Sequence, residues 1–210
     1  MFLLKFYKFI KKEIRQFKAS LRLRILRSHS TFVGTGQSCT PNAFIALSGG
    51  STKEDVIIHE HVDLYGRLVS YHHGKIVMGP WSKIGPGTVV NCVNRVEIGK
   101  DTAIANNVLI IDNNTHPLCP ADRRYMRHTP HGSDERQPWH SANAPIIIGE
   151  NVWIGSNVRI CKGVTVGDNA IIAANSVLTK NVPANAVAAG NPAKIVKEDI
   201  DKNTTPIFPL

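Results

Sequence analysis

The amino-acid sequence predicts an all-β fold, a parallel β-helix of stacked three-sided coils. The first observation is a six-residue pattern, unbroken from Ile148 to Pro183, in which an aliphatic residue is followed by a small one. Its frame reads Ile148-Gly149, Ile154-Gly155, Ile160-Cys161, Val166-Gly167, Ile172-Ala173 and Leu178-Thr179. The second is the same frame upstream in Met78-Gly79, Ile84-Gly85 and Val90-Asn91, resumed after a two-residue slip in Ile98-Gly99, Ile104-Ala105 and Ile110-Ile111. The third concerns the period itself. Six is a multiple of neither 3.6 nor 7, so an amphipathic helix or coiled coil cannot keep one face apolar through it, whereas a short fixed repeat is the signature of a solenoid.

Each six-residue unit supplies one short strand and a turn, and three units close a coil. The aliphatic residue points into the prism, and the small residue beside it lets the backbone turn tightly at a corner. Coils stack at about 4.8 Å, the inter-strand spacing, so backbone pairing runs along the prism axis. The two-residue slip predicts one bulged corner near Asn94-Arg95, and Val56 to Ile76, in looser register, reads as ragged first coils. Between Ile111 and Pro145 the pattern stops for a stretch too long for an ordinary turn, and such connections are functional loops or disorder. Beyond Pro183 the stretch Ala186 to Lys197 leaves the repeat and should seal the end of the prism, since solenoids need caps. The expected organisation is therefore a terminal helical segment over residues 1–30, a β-helix over 31–185 with an inserted loop at 112–145, and a cap and tail over 186–210.

A chain of 210 residues accommodates one principal domain plus a terminal segment. Four cysteines without paired spacing, and no secretory apolar region before a cleavage-like site, point to a reducing cytoplasm. No run reaches the length needed to span a bilayer.

Charge is concentrated at one end. Residues 1–27 carry nine Lys and Arg against Glu13 alone, which is +8 of the total +9. Leu3, Tyr7, Ile10, Ile14, Phe17 and Leu21 recur at spacings of four and three, one face of a helix, and Phe2, Phe6 and Phe9 widen it. A basic helix with aromatic residues on its apolar side suits an anionic membrane interface. The alternative is a helix that caps the open end of the prism or packs on its copies. Nucleic-acid binding is not expected, because no stacking platform or recognised reading motif follows the charge.

Chemistry should sit where the chain departs from its repeat. The excursion opens Asp112-Asn113-Asn114-Thr115-His116-Pro117-Leu118-Cys119-Pro120, and histidine is the side chain suited to proton transfer near neutrality. Most of the nine histidines are expected to be ordinary polar residues. His116 differs because it follows a rigid strand at the mouth of an excursion able to cover a site. His128, His131 and His140 lie within the excursion and could contact an acceptor, but are read as solvent-facing, while His59, His61, His72 and His73 receive no role.

At these residues the sequence resembles the hexapeptide-repeat acyltransferases, and within them the maltose, galactoside and polysaccharide O-acetyltransferases. The likeness spans Met78 to Lys197 and rests on the repeat, on Thr115-His116-Pro117, on Asn151-Val152-Trp153-Ile154-Gly155 and on Ala188 to Lys194. It implies a left-handed parallel β-helix, a homotrimer with each site in a groove between neighbouring prisms, and acetyl-CoA as co-substrate. The family's general base falls on His116 and its bulky indole at the acyl end on Trp153. Ser156 and Ala174 match places where the pantetheine arm follows backbone amides. Thr179 and Lys180 match the far end of that groove, and Lys194 and Lys197 match basic residues near the nucleotide phosphates, where charge complementarity favours cations. Family members often carry arginine at those two tail positions, so lysine here removes a bidentate contact.

The implied reaction is direct acetyl transfer to a sugar hydroxyl. His116 accepts the hydroxyl proton, and a backbone N–H or similar donor stabilises the oxyanion. Asn91 and Asp112 are candidate acceptor contacts; Asp112 is also close enough in sequence to orient the second imidazole nitrogen of His116, and is equally suited to cap a turn. A thiolate route through Cys119 lacks a visible electropositive helix terminus. A zinc-dependent hydrase on the same fold needs ligands from adjacent prisms, no metal being expected here, and a non-catalytic scaffold would not bind acetyl-CoA. The basic N-terminus favours a surface-polysaccharide precursor held at the inner face of a membrane.

Overall fold

A computed structural model describes residues 2–202 and 205, with side chains from residue 4 onward; the side chains of Phe2 and Leu3, and residues 203–204 and 206–210 of the expected tail, lie outside the described residues. Helix α1 (Phe2–Ser28) precedes a prism of short strands. The first coil is β1 (Thr31–Phe32), β2 (Ser38–Cys39) and β3 (Phe44–Ser48), and the second is β4 (Val56–Ile58), β5 (Asp63–Leu64) and β6 (Arg67–Tyr71). Next come β7 (Lys75–Met78), β8 (Lys83–Ile84) and β9 (Val89–Cys92), then β10 (Arg95–Ile98), β11 (Ala103–Ile104) and β12 (Leu109–Ile111). After the excursion follow β13 (Ile146–Ile148), β14 (Trp153–Ile154) and β15 (Arg159–Cys161), then β16 (Thr165–Val166), β17 (Ile171–Ile172) and β18 (Val177–Leu178). A hairpin of β19 (Val187–Gly190) and β20 (Ala193–Lys197) supplies the last strands.

Every third strand pairs in parallel, giving two six-stranded faces and one eight-stranded face, the last extended by β19 in parallel and β20 in antiparallel. The aliphatic residues of the repeat form one core column per face: Ile84, Ile104, Ile154 and Ile172 are all essentially inaccessible. The entry coils are less ragged than expected. Val56, Ile58, Val62, Leu64 and Leu68 are buried in full register, and the prism begins at Thr31. Its first coil is irregular only because longer corners and a short 3-10 turn (Lys53–Asp55) separate the strands.

The small residue of each repeat serves a purpose other than the tight turn expected of it. A Cβ on Gly99 would lie 2.4 Å from the carbonyl oxygen of Gly149 in the next coil, and one on Gly155 would lie 2.7 Å from the backbone N of Ala174. Close approach of stacked backbones, rather than an unusual φ, excludes a side chain there. The turns themselves are made by asparagines with positive φ, Asn151, Asn157, Asn169, Asn175 and Asn185, a conformation asparagine tolerates better than most residues. These stack into amide ladders, with Asn151 donating to Asn169 at 3.0 Å and Asn169 to Asn185 at 2.8 Å.

The two-residue slip is a bulged corner at Cys92–Asn94. Registers pair Met78 with Ile98, twenty residues on, but Ile148 with Val166, eighteen residues on, and the corner holds the difference. Helix α1 meets the prism only through its C-terminal part. Leu26 is 1% exposed in the core, Arg22 Nε donates to Pro41 O at 2.9 Å and Cys39 Sγ to Ala19 O at 3.3 Å. Residues 4–18 are exposed throughout, including Phe6, Tyr7, Phe9, Ile10, Ile14 and Phe17. No helix among the described residues is long and apolar enough to cross a membrane.

Candidate active site

The excursion after β12 is an ordered loop with a closed neck. Asn113 and Asn143 form an antiparallel bridge, Asn114 N donates to Ala142 O at 3.0 Å, and Ala144 N to Asp112 O at 2.9 Å. Inside the neck lies helix α2 (Pro120–His128), with Pro120 at its first position, where a missing N–H costs nothing. The loop folds back over the face formed by β3, β6, β9 and β12. Val69 and Ile111 alternate with the core residues Leu68 and Ile110, so they point away from the prism, yet they are only 6% exposed. Trp139 anchors the far end by stacking on His72, with centroids 5.4 Å apart. A Cβ on Gly49 would lie 2.7 Å from that indole, which leaves glycine as the residue able to accept it.

Asp112 is fully buried at the root of the loop. Its carboxylate accepts the backbone N–H of Val93 at 3.0 Å, of Asn94 at 2.7 Å and of Arg95 at 3.0 Å, which are consecutive donors of the bulged corner. The thiol of Cys92 and the amide of Asn113 complete the shell at 3.3 and 3.1 Å. Burial, reinforced by the Asp112 charge, pushes the Cys92 thiol far above its usual range. Asp112 therefore holds the corner and has no free oxygen for an acceptor, which is the turn-capping alternative and not the acceptor contact. It does not touch His116 either. Asn91 is half-buried on the outward side of β9, beneath the loop-covered face.

His116 is exposed and presented by a strained turn. Thr115 has φ 61, uncommon for a β-branched residue, and an Asx turn holds it there, with Thr115 N donating to Asn113 Oδ1 at 2.9 Å. The Thr115 hydroxyl donates its one proton to Asn114 O at 2.6 Å and lies 3.1 Å from His116 Nδ1. With that proton directed to Asn114, the hydroxyl oxygen is placed to accept from a ring that carries its hydrogen on Nδ1. The contact thus orients the imidazole through Nδ1. This partner of the second nitrogen was missed in the sequence, although a hydroxyl residue next to a histidine is visible there.

A cavity of about 300 Å³ opens beside His116, lined also by Arg123, Arg127, His131, Arg136 and Gln137. His131, itself exposed, borders the same space as His116. The i, i+4 pair Arg123 and Arg127 was readable once Pro120 is taken as a helix start. His140 is paired with Asp134 at 2.7 Å, and His61 stacks on Trp81 with centroids 3.9 Å apart. Cys119 is exposed at the N-cap of α2. The helix terminus thought to be lacking is thus present, but Cys119 lies outside the cavity that holds His116.

The remaining candidates lie on other parts of the prism. Trp153 is 58% exposed on the outward column of the eight-stranded face, which continues through Ile171 and Val187 to Lys197. Ser156 and Ala174 occupy stacked corners of adjacent coils, where Asn175 N donates to Ser156 O at 2.9 Å and Gly155 touches Ala174. Thr179 and Lys180 are exposed just after β18, and Lys194 is exposed on β20. Within one chain, then, Trp153, Ser156, Ala174 and the basic tail share one end of the prism, while His116 leaves from a different face. Among the described residues no three His, Cys, Asp or Glu side chains converge as metal ligands.

The architecture is that of the left-handed parallel β-helix. Residues 145–180 match the bacterial transferase hexapeptide (six repeats). The chain is 33% identical over 132 residues to the putative lipopolysaccharide biosynthesis O-acetyl transferase WbbJ of Escherichia coli K12, covering 63% of this chain and 65% of that protein. It is 37% identical over 146 residues to the polysialic acid O-acetyltransferase of Escherichia coli O1:K1, covering 69% of this chain and 43% of that protein. The matches thus span less than two thirds of either relative. Among solved structures, a maltose O-acetyltransferase from Clostridium difficile 630 superposes with a TM-score of 0.53 at 26% identity, covering 84% of this chain and 74% of that one.

Proposed function

We propose that this chain, which belongs to the hexapeptide-repeat family of bacterial transferases, moves an acetyl group from acetyl-CoA to a hydroxyl of a saccharide, with His116 as general base. The observation that carries the reading is the Thr115–His116 turn, because the hydroxyl engages Nδ1 of a histidine that lines a cavity large enough for one sugar unit, and the other ring nitrogen can then serve as the base. The acceptor oxygen attacks the thioester carbonyl as Nε2 takes its proton. The new ester bond replaces the carbon–sulfur bond, and the proton passes to the departing sulfur. Such a base contributes about 10² to 10⁴ in rate.

Acetyl-CoA would supply the activated acyl group, and the exposed residues fit it. Trp153 offers an indole face for the acyl end, Ser156 and Ala174 leave room along the stacked corners, and Thr179, Lys180, Lys194 and Lys197 border the path to the phosphates. Because His116 and Trp153 leave from different faces, one prism does not complete the site. A homotrimer, with His116 of one subunit facing Trp153 of its neighbour, would, and a closed ring is the ordinary outcome of such a heterologous contact. Asn91 remains a candidate acceptor contact at the same loop-covered face.

The exposed apolar face of residues 4–18 and its dense positive charge fit a peripheral position on an anionic membrane, at the cytoplasmic side, where a polysaccharide precursor would be reached. The test is acetyl transfer from labelled acetyl-CoA to free, nucleotide-linked and lipid-linked saccharides, with acetyl-CoA binding measured separately. A non-catalytic scaffold would bind none, and a zinc-dependent hydrase would purify with stoichiometric metal.

A further inference from the structure

The cavity beside His116 is polarised although the loop that builds it is not. Residues 112–145 contain four arginines and four carboxylates, so their charge sums to zero, yet no carboxylate lines the cavity. Asp112 is buried under the bulged corner, Asp134 pairs with His140, and Asp122, Asp134 and Glu135 line a separate depression beyond Tyr125 and Met126. Three arginines are left around His116. Arg123 Nη1 donates to the carbonyls of Pro117 and Leu118, and Arg136 donates from Nε to Thr129 O and from Nη2 to Arg127 O, both at 2.9 Å. Neutral carbonyl oxygens therefore hold these guanidiniums in place without cancelling their charge, and each keeps further N–H donors. The guanidinium of Arg127, one helical turn after Arg123 on the same cavity wall, has no hydrogen-bond or ionic partner among the described residues, its backbone carbonyl alone being engaged by Arg136.

Pre-positioned, unneutralised arginines cost stability through mutual repulsion, and planar guanidiniums match carboxylate and phosphate oxygens two at a time. We infer that the acceptor bears an anionic group, a sugar carboxylate or a phosphate, close to the hydroxyl that is acetylated, and that Arg123, Arg127 and Arg136 hold it. This rests on the reading of His116 as the base facing the same cavity. The anion fixes the orientation of the sugar, and its hydroxyl is thereby delivered to Nε2. A neutral sugar of the same shape lacks that anchor.

The test uses the full chain and matched acceptors: a glucuronide, its neutral methyl ester, and a hexose phosphate. Arg127→Ala is the informative variant, because this side chain supports nothing else in the fold. For the wild-type protein the glucuronide or the hexose phosphate should be acetylated with at least a 10-fold lower KM than the ester, and which of the two prevails identifies carboxylate or phosphate. In Arg127→Ala the KM for the charged acceptor should rise about 10-fold or more, the value for the ester should shift by less than 2-fold, and Arg127→Lys should recover part of the loss. Binding without turnover is followed separately through the imidazole resonances of His116 and His131 during titration with glucuronate and with inorganic phosphate. Equal use of ester and acid, with no response to either anion, overturns the anionic acceptor and leaves acetyl transfer standing. Anion binding lost in Arg127→Ala, but without transfer to any acceptor, keeps the anion site and removes the transferase reading.

Discussion

The carboxylate of Asp112 lies beneath the backbone of Asn94 and accepts its N–H at 2.7 Å, with the neighbouring N–H groups of Val93 and Arg95 on the same two oxygens. One side chain at the root of the excursion thus closes the bulged corner. The bulge and the loop are a single construction: the extra residues of the corner expose three backbone donors, and the first residue of the excursion satisfies them.

Asp112→Ala should therefore act on folding. Leaving three consecutive donors, one buried and two part-buried, without an acceptor costs roughly 3 kcal/mol, and Asp112→Asn, which keeps one acceptor oxygen, should cost less. Denaturant unfolding checks the order. The KM for acceptor of the fraction that remains folded should be close to that of the wild type.

Trp139 ties the loop to the entry coils through His72 and the open surface of Gly49. Trp139→Ala should loosen the loop at a global cost of about 1–2 kcal/mol. Limited proteolysis should then cut within residues 112–145 while the prism stays intact, and the KM for acceptor should rise more than kcat falls.

The helix divides into two parts with different duties. Leu26 is in the core, so Leu26→Ala should destabilise by about 2–5 kcal/mol. Deleting residues 1–18 removes only exposed side chains and should leave the melting temperature unchanged, while vesicles containing anionic lipid, bound by the intact chain more weakly as salt rises, are no longer bound. A fall in melting temperature with no lipid binding by the intact chain would make the segment a cap.

How far the sequence discloses this molecule depends on how regular the local physics is. The repeat from Ile148 to Leu178 is legible because each aliphatic residue fills an equivalent place in the core, and the bulged corner is legible because it shifts that count by two. The first coils are obscured by unequal corners between Phe32 and Val56, although their buried residues are as well registered as the rest. Asparagines at the turns were visible as letters, but their role depends on positive φ and on ladders to a residue sixteen or eighteen positions away. In the loop, His116 was singled out by its place in the chain. Its cavity was not, because separating Arg123 and Arg127 from Asp122 and Glu135 requires knowing which way helix α2 faces.

The proposed sharing of the site between subunits can be tested with mixed assemblies. His116→Ala and Trp153→Ala homo-oligomers should each be weak, and co-expressed subunits should regain activity, because some grooves then receive His116 from one subunit and Trp153 from another. A monomer that retained full activity would contradict the shared site.

Thr115 should act through His116. Thr115→Val keeps the branched shape but removes the acceptor that fixes Nδ1–H, so kcat should fall about 10-fold with acetyl-CoA affinity little changed, and Thr115→Ser should restore it. An unchanged kcat and pH profile would show that another group sets the tautomer.

The most direct measurement is labelled acetyl transfer by wild-type and His116→Ala protein to the best saccharide acceptor, alongside acetyl-CoA binding by both. His116→Ala should lower kcat by about 10² to 10⁴ and leave acetyl-CoA affinity within a few-fold, because the base acts mainly in the transition state. Full activity without His116, or an acetylated enzyme trapped through Cys119, would contradict it.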